Sequence, residues 1–325
     1  MSSASFLSGN DPLRLINYRR ILILKIFTFG CSNSIRAADY EVMNIAAPLP
    51  PTESPAEAPR TGRARNALEL QNASVVFGSG DMAVTALAPT NLKLPDGDFL
   101  ALVGPSGCGK STILRLVSNL IKPSEGVVLV GGREAAAKQL RIGMAFQNPT
   151  MLPWLTIEQN VMMPLKIVPP FKARFRAERK GEFRDRVHQL LAQVGLTDFA
   201  GHYPWQLSGG MLQRSNLCRA LIHEPDLLLL DEPFGALDQF TREELWQTLQ
   251  DLYLDRKPTV LLVTHDLREA GFLANRICVM SARPGRIISD ETVNIPQPRD
   301  IDMIYSPEFV EMTQGLRELI AQVRK

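Results

Sequence analysis

The sequence predicts an α/β fold, on three observations. From Leu68 onward short apolar runs alternate with helical patterns, as they do where strands and helices interleave. One apolar run, Phe99–Val103, is followed at once by a glycine-rich loop that opens a helix. Another, Leu227–Asp231, ends in two adjacent carboxylates, Asp231 and Glu232.

Along the chain, residues 21–31 (ILILKIFTFGC) follow Arg19 and Arg20 and are interrupted by Lys25. This stretch resembles a short leader, or an orphan left by a start placed too early, with Met43 the alternative start. Residues 46–66 are rich in Pro, Ala and Glu and cannot repay their ordering entropy. Residues 1–66 are therefore expected to be a disordered or mis-started extension. The folded domain is expected over 67–294.

Within it, residues 68–77 and 87–94 read as antiparallel strands and 99–103 as a buried strand. A helix starts at Lys110, and strands follow at 127–130 and 142–146. Residues 156–222 read as a predominantly helical subdomain, with a capping box from Thr156 and Gln159 and a second helix start at Ser208. Strands return at 227–231, 260–264 and 277–281. Residues 295–325 read as a C-terminal helical segment capped by Ser306, with Pro307 in its first turn. Its Phe309, Met312, Leu316, Leu319, Ile320 and Val323 share one face, so it packs back on the body. The residues that follow Ser281 in this sequence are expected to be too few for a separate regulatory domain.

Bulk properties narrow the function classes. The 325 residues carry a net charge of +2, which gives no case for nucleic acid as a partner. The four cysteines, Cys31, Cys108, Cys218 and Cys278, are scattered without metal-ligand or disulfide-scaffold spacing. No run approaches the roughly 18 to 20 apolar residues that cross a bilayer.

The loop Gly104, Pro105, Ser106, Gly107, Cys108, Gly109, Lys110, Ser111, Thr112 lies between strand and helix, the context a phosphate-binding loop requires. Its glycines allow main-chain N–H groups to close around phosphate oxygens, and the helix start adds its positive dipole end. Lys110 is placed to reach the β- and γ-phosphates of ATP, and the Ser111 hydroxyl to ligate Mg²⁺. Asp231 is expected beside the same Mg²⁺, and Glu232 at the attacking water. One carboxylate and one hydroxyl suit a cation that keeps several waters.

Leu207-Ser208-Gly209-Gly210, shortly before the acidic strand, resembles the signature motif of ABC ATPases. Gln147 matches that family's Q-loop, residues 236–238 (ALD) its D-loop, His265 its switch histidine, and Phe77 its adenine-stacking aromatic. The resemblance covers about residues 68–290. It implies a P-loop NTPase of ABC type: a RecA-like mixed-sheet core, an antiparallel β subdomain and a helical signature subdomain. It further implies that Ser208, Gly209 and Gly210 grip the ATP held by a second ATPase subunit, an identical copy in the simplest case. Gln147 would then sense metal and partner, while Lys110 and His265 stabilise charge on the γ-phosphoryl. The chain departs from the family pattern at Leu212 and at residues 215–218 (SNLC), which predicts altered helix packing with the ATP contact intact.

With no membrane span, transport would require separate multi-span permease subunits and, indirectly, a substrate-binding protein. Met151, Leu152, Pro153, Trp154 and Leu155 follow Gln147 and read either as a permease interface or as a loop folded on its own helical subdomain. This loop and residues 281–287 (SARPGRI) are similar to importer ATPases of the nitrate, sulfonate and taurine group. That similarity implies a peripheral protein on the cytoplasmic face of the inner membrane. A soluble single-cassette ABC ATPase of cofactor assembly is the rival. The basic stretch 172–186 reads as a solvated helix face.

Overall fold

The computed structural model describes residues 66–135 and 141–323. The leader-like stretch, Met43 and the proline-rich segment therefore lie outside the described residues, as does Cys31.

The first strands form an antiparallel sheet. β1 (Asn66–Phe77) pairs with β2 (Val84–Pro95), and after β3 (Phe99–Val103) and helix α1 (Lys110–Val117) the chain returns in β4 (Glu125–Val130) along the other side of β1. A two-residue strand, β5 (Arg133–Glu134), closes that edge, giving the order β2-β1-β4-β5.

A second sheet is mostly parallel. It contains β3, β6 (Ile142–Phe146), β7 (Leu227–Asp231), β8 (Thr259–Val263), β9 (Arg276–Met280) and β10 (Ile287–Thr292), in the order β10-β9-β3-β8-β7-β6. Only β10 runs antiparallel to its neighbour. β10 is absent from the sequence reading because its residues (IISDET) are mostly exposed and polar, so no apolar run marks this edge strand.

The strands of the central sheet are covered on both faces, which is why they are nearly continuous apolar runs. Phe99, Ala101 and Val103 point into one core, together with Leu228, Leu230, Val260 and Leu262. Leu100 and Leu102 point into the other, with Leu227, Leu229, Leu261 and Val263. That second core is completed by α1 and by Leu68, Leu70, Leu92 and Leu94 of the antiparallel sheet.

The first core is covered by helices. These are α2 (Ile157–Ile167), α3 (Phe171–Glu178), α4 (Glu182–Gln193), α5 (Gly209–Leu221), α6 (Gln239–Arg256), α7 (Leu267–Leu273) and α8 (Pro307–Gln322). Thr156 and Gln159 form the expected capping box on α2, at 3.3 Å and 3.1 Å. In the basic stretch 172–186, Arg174 pairs with Glu178, Arg184 with Glu158 and Arg186 with Glu224. Each pair keeps at least one of its side chains open to water, which fits a solvated face. Phe309 and Leu316 of α8 are buried, and Met312, Leu319 and Ile320 pack beside them.

Candidate active site

The carboxyl ends of β3, β7 and β8 lie side by side in the sheet, so the three loops that follow them share one edge. The first is the phosphate loop. Gly109, at φ +103°, caps α1 in a conformation that side chains rarely adopt, and a Cβ there would also lie a tight 3.0 Å from the carbonyl oxygen of Ala86. Lys110 is buried, and its Nζ donates to the carbonyls of Gly104 at 2.8 Å and Pro105 at 3.0 Å. The ammonium is thus held across the mouth of its own loop. Cys108 is buried beneath it, and burial pushes its thiol pKa up. Ser106, Gly107 and Ser111 stay accessible or partly so, and Thr112 is half-buried.

Ser111 Oγ donates to Oδ1 of Asp231 at 3.2 Å. Burial raises the Asp231 pKa; the Ser111 hydrogen bond opposes this, and the neighbouring Glu232 charge adds to it. This hydroxyl–carboxylate pair is a hard-oxygen donor set of the kind Mg²⁺ takes. No group of three or more His, Cys, Asp or Glu that could hold a metal occurs among the described residues.

Glu232 follows in the left-handed region at φ +45°, a strained setting for a non-glycine residue. Its N–H donates to the Val263 carbonyl at 2.8 Å, and its Oε2 lies 3.0 Å from Nδ1 of His265. The Glu232 carboxylate and the His265 imidazole are therefore brought together. Gln147 is exposed beside Gly235, where an added Cβ would lie 3.0 Å from its Nε2. Asp238 caps α6, accepting from Thr241 N at 3.1 Å. Phe77 is 45% exposed at the end of β1.

Ser208 caps α5, accepting from Met211 N at 3.4 Å, and Gly209 is exposed beside it. Gly210 packs so closely that a Cβ would lie 2.5 Å from Thr241 Cγ2. The departure at residues 215–218 has a packing consequence. Asn216 is buried and donates to the Phe146 carbonyl at 3.3 Å, as does Gln213, while Arg219 donates to Thr150 O at 2.7 Å. One face of the signature helix thus grips both sides of Gln147. Of the loop that follows, Trp154 is 55% exposed and Pro153 exposed, whereas Met151, Leu152 and Leu155 are half-buried and Asn160 holds the backbone of Leu152 and Leu155.

Sequence reasoning missed Arg242 and Asp266. Arg242 donates to Asp266 Oδ2 at 3.1 Å and to the Leu237 carbonyl at 3.0 Å, tying the segment after Glu232 to the loop that follows β8. The helical spacing from Asp238 to Arg242 was the available signal; its partner, distant in sequence, was not.

The ABC transporter family pattern matches residues 87–235. The aliphatic sulfonates import ATP-binding protein SsuB of Bacillus licheniformis is 42% identical over 223 residues, covering 69% of this chain and 83% of the relative.

The chain belongs to the ABC transporter family.

Another SsuB, from Bacillus subtilis, is 40% identical over 230 residues, or 71% of this chain and 85% of the relative. A dimeric ATP-binding cassette solved in a post-hydrolysis state with ADP and Pi is 33% identical with a TM-score of 0.60, covering 70% of this chain and 100% of that one. CbiO1 from Clostridium perfringens, at 22% identity and a TM-score of 0.62 over 80% of this chain and 100% of that one, shows the fold alone. As an ABC ATPase, the chain binds and hydrolyses ATP. No helix among its described residues is long and apolar enough to cross a membrane.

Proposed function

We propose that this ABC ATPase powers a membrane importer for a small anion or organic acid such as nitrate, a sulfonate or taurine. Two copies would clasp two ATP molecules head to tail on the cytoplasmic face of the inner membrane, against separate permease subunits fed by a substrate-binding protein. The similarity to SsuB proteins supports the substrate class. The exposed Trp154 beside the Gln147 loop supports a permease contact there.

The observation that carries the mechanism is a pair of contacts at one sheet edge: Ser111 to Asp231, and Glu232 to His265. Bound Mg²⁺ would neutralise the β- and γ-phosphate oxygens, held by Ser111 and Asp231 and reached by Gln147. Lys110 would leave its loop carbonyls for the β- and γ-phosphates. Glu232 would orient the attacking water and accept its proton, and His265 would hold that carboxylate in place. Phe77 would stack on adenine, and the loop 104–112 would supply N–H groups to the phosphates. Ser208, Gly209 and Gly210 would complete the site of the opposite copy. Phosphoryl transfer asks mainly for positioning and charge stabilisation, which this inventory provides.

Glu232→Gln is expected to bind MgATP as the wild type does, lose hydrolysis and sediment as a dimer. Hydrolysis at the wild-type rate, or sedimentation as single subunits even with membrane partners present, would overturn the mechanism. Recovery of multi-span membrane proteins with the tagged chain supports import, and recovery of soluble partners alone favours a cofactor-assembly ATPase.

A further inference from the structure

The C-terminal helix α8 reaches the nucleotide site. A cavity of about 490 Å³ is lined by Gly104 and Ser106 of the phosphate loop, by His265, and by Arg317, Ile320 and Ala321 of α8. An adjoining cavity of about 350 Å³ is bordered by His265, Asp266, Arg268 and Arg317, with Thr313 and Gln314 of α8 along its wall; Asp266 there is bonded to Arg242. Arg317 is thus shared by both cavities and faces the same space as the phosphate loop and the switch histidine.

The helix is firmly seated there. Ser306 caps it, accepting from Phe309 N at 3.3 Å, and Phe309 and Leu316 are buried. A Cβ on Gly271 would lie 2.6 Å from Met312 Cε and 3.0 Å from Phe309 Cζ, so α8 lies almost on the backbone of α7. Arg317 is exposed, and among the described residues no carboxylate pairs with it. A guanidinium on a fixed helix, bordering a phosphate loop and bonded to no carboxylate among the described residues, matches the fork geometry of phosphate oxygens. His265 is hydrogen-bonded to Glu232, the residue placed at the attacking water, so a cavity walled by His265 lies on the terminal-phosphate side.

We propose that Arg317 is a nucleotide-binding residue that contacts the γ-phosphate end of ATP held on the phosphate loop of its own subunit. The proposal rests on the nucleotide-site reading above and adds α8 to it as a wall of the cleft. It gives the C-terminal segment a direct part in distinguishing ATP from ADP.

The test uses the full chain, with Glu232→Gln as background to prevent turnover, and equilibrium binding of MgATP and MgADP. Arg317→Ala is expected to weaken MgATP roughly three- to fivefold, the range of an exposed charge contact, and to change MgADP by less than about twofold. Arg317→Lys keeps the charge but loses the fork, so it should recover only part of the loss. The difference should shrink between about 0.05 M and about 0.5 M salt. Unchanged MgATP affinity in Arg317→Ala, or equal losses for MgATP and MgADP, would overturn the proposal. Lys110→Ala separates the two readings. If it loses nucleotide while Arg317→Ala binds as the parent does, only the role of α8 fails. If Lys110→Ala itself binds normally, the nucleotide-site reading fails first.

Discussion

His265 Nδ1 lies 3.0 Å from Oε2 of Glu232, joining the ends of two adjacent strands by one side-chain hydrogen bond. The Glu232 backbone is held in the left-handed region at φ +45° while its N–H is bonded to Val263. The carboxylate is therefore aimed from both ends, by a strained main chain and by an imidazole.

His265→Ala should remove one of those constraints without touching the phosphate loop. The expected outcome is a fall in kcat of about a hundredfold or more with KM for MgATP little changed, since a misaimed carboxylate costs transition-state stabilisation and spares ground-state binding. Steady-state ATPase kinetics check it. A rise in KM with kcat intact would place His265 in binding.

In α7, just after His265, Glu269 is 3% exposed and accepts from Thr264 Oγ1 at 2.9 Å. Burial pushes its pKa from 4.5 to about 8. A raised folded-state pKa means stability present below about pH 4.5 and lost as pH climbs to about 8, at on the order of 1 kcal/mol per pH unit. Glu269→Gln keeps the shape of the neutral acid and does not ionise. Its stability relative to wild type should therefore increase with pH over that window and level off above it. Denaturant unfolding at several pH values checks this; a difference independent of pH would show the carboxyl ionised throughout.

The fold was legible in the sequence wherever burial left a pattern. The strands of the central sheet were found because both faces are covered, and the helix starts at Thr156, Ser208 and Ser306 because their caps are local. The strand Ile287–Thr292 was illegible because it is polar and at an edge. The site was legible where one motif holds several groups, as in residues 104–112. It was illegible where partners are remote: Arg242 with Asp266, Asn216 with Phe146, and the approach of α8 to the phosphate loop.

Gly285 is another such residue. A Cβ there would lie 1.9 Å from the Cys108 carbonyl oxygen, and its own N–H and carbonyl bond Ala86 at 3.1 Å and Ala88 at 2.9 Å. The turn after β9 thus seats the phosphate loop from outside. The obstacle is backbone, so Gly285→Ala must displace one loop or the other, at about 1–3 kcal/mol or more. We expect a lower melting temperature together with weaker MgATP binding, read by calorimetry and equilibrium binding. Reduced stability with unaltered affinity would show that the phosphate loop does not feel the turn.

The most buried cation of the C-terminal segment also predicts a large effect. Arg299 is 2% exposed, and its Nη1 donates to the carbonyls of Gly271, Phe272 and Ala274 at 2.9 Å each, at the end of α7. Its Nε and Nη2 donate to Ile295 O at 3.0 Å and 2.7 Å, and its main-chain N–H to Gln250 Oε1 at 2.7 Å. A positive charge at a helix C-terminus complements the dipole, and burial lowers its pKa to about 10 without discharging it at neutral pH. Arg299→Ala would leave several buried carbonyls unpartnered, each costing about 1–3 kcal/mol when orphaned. Arg299→Lys has too few donors in the wrong geometry to replace it. Both variants should melt well below wild type, with Ala the lower, and because α7 follows His265 the loss should carry into ATPase activity at temperatures where the rest of the chain stays folded. Equal melting temperatures for wild type and Arg299→Ala would mean that these carbonyls find water instead.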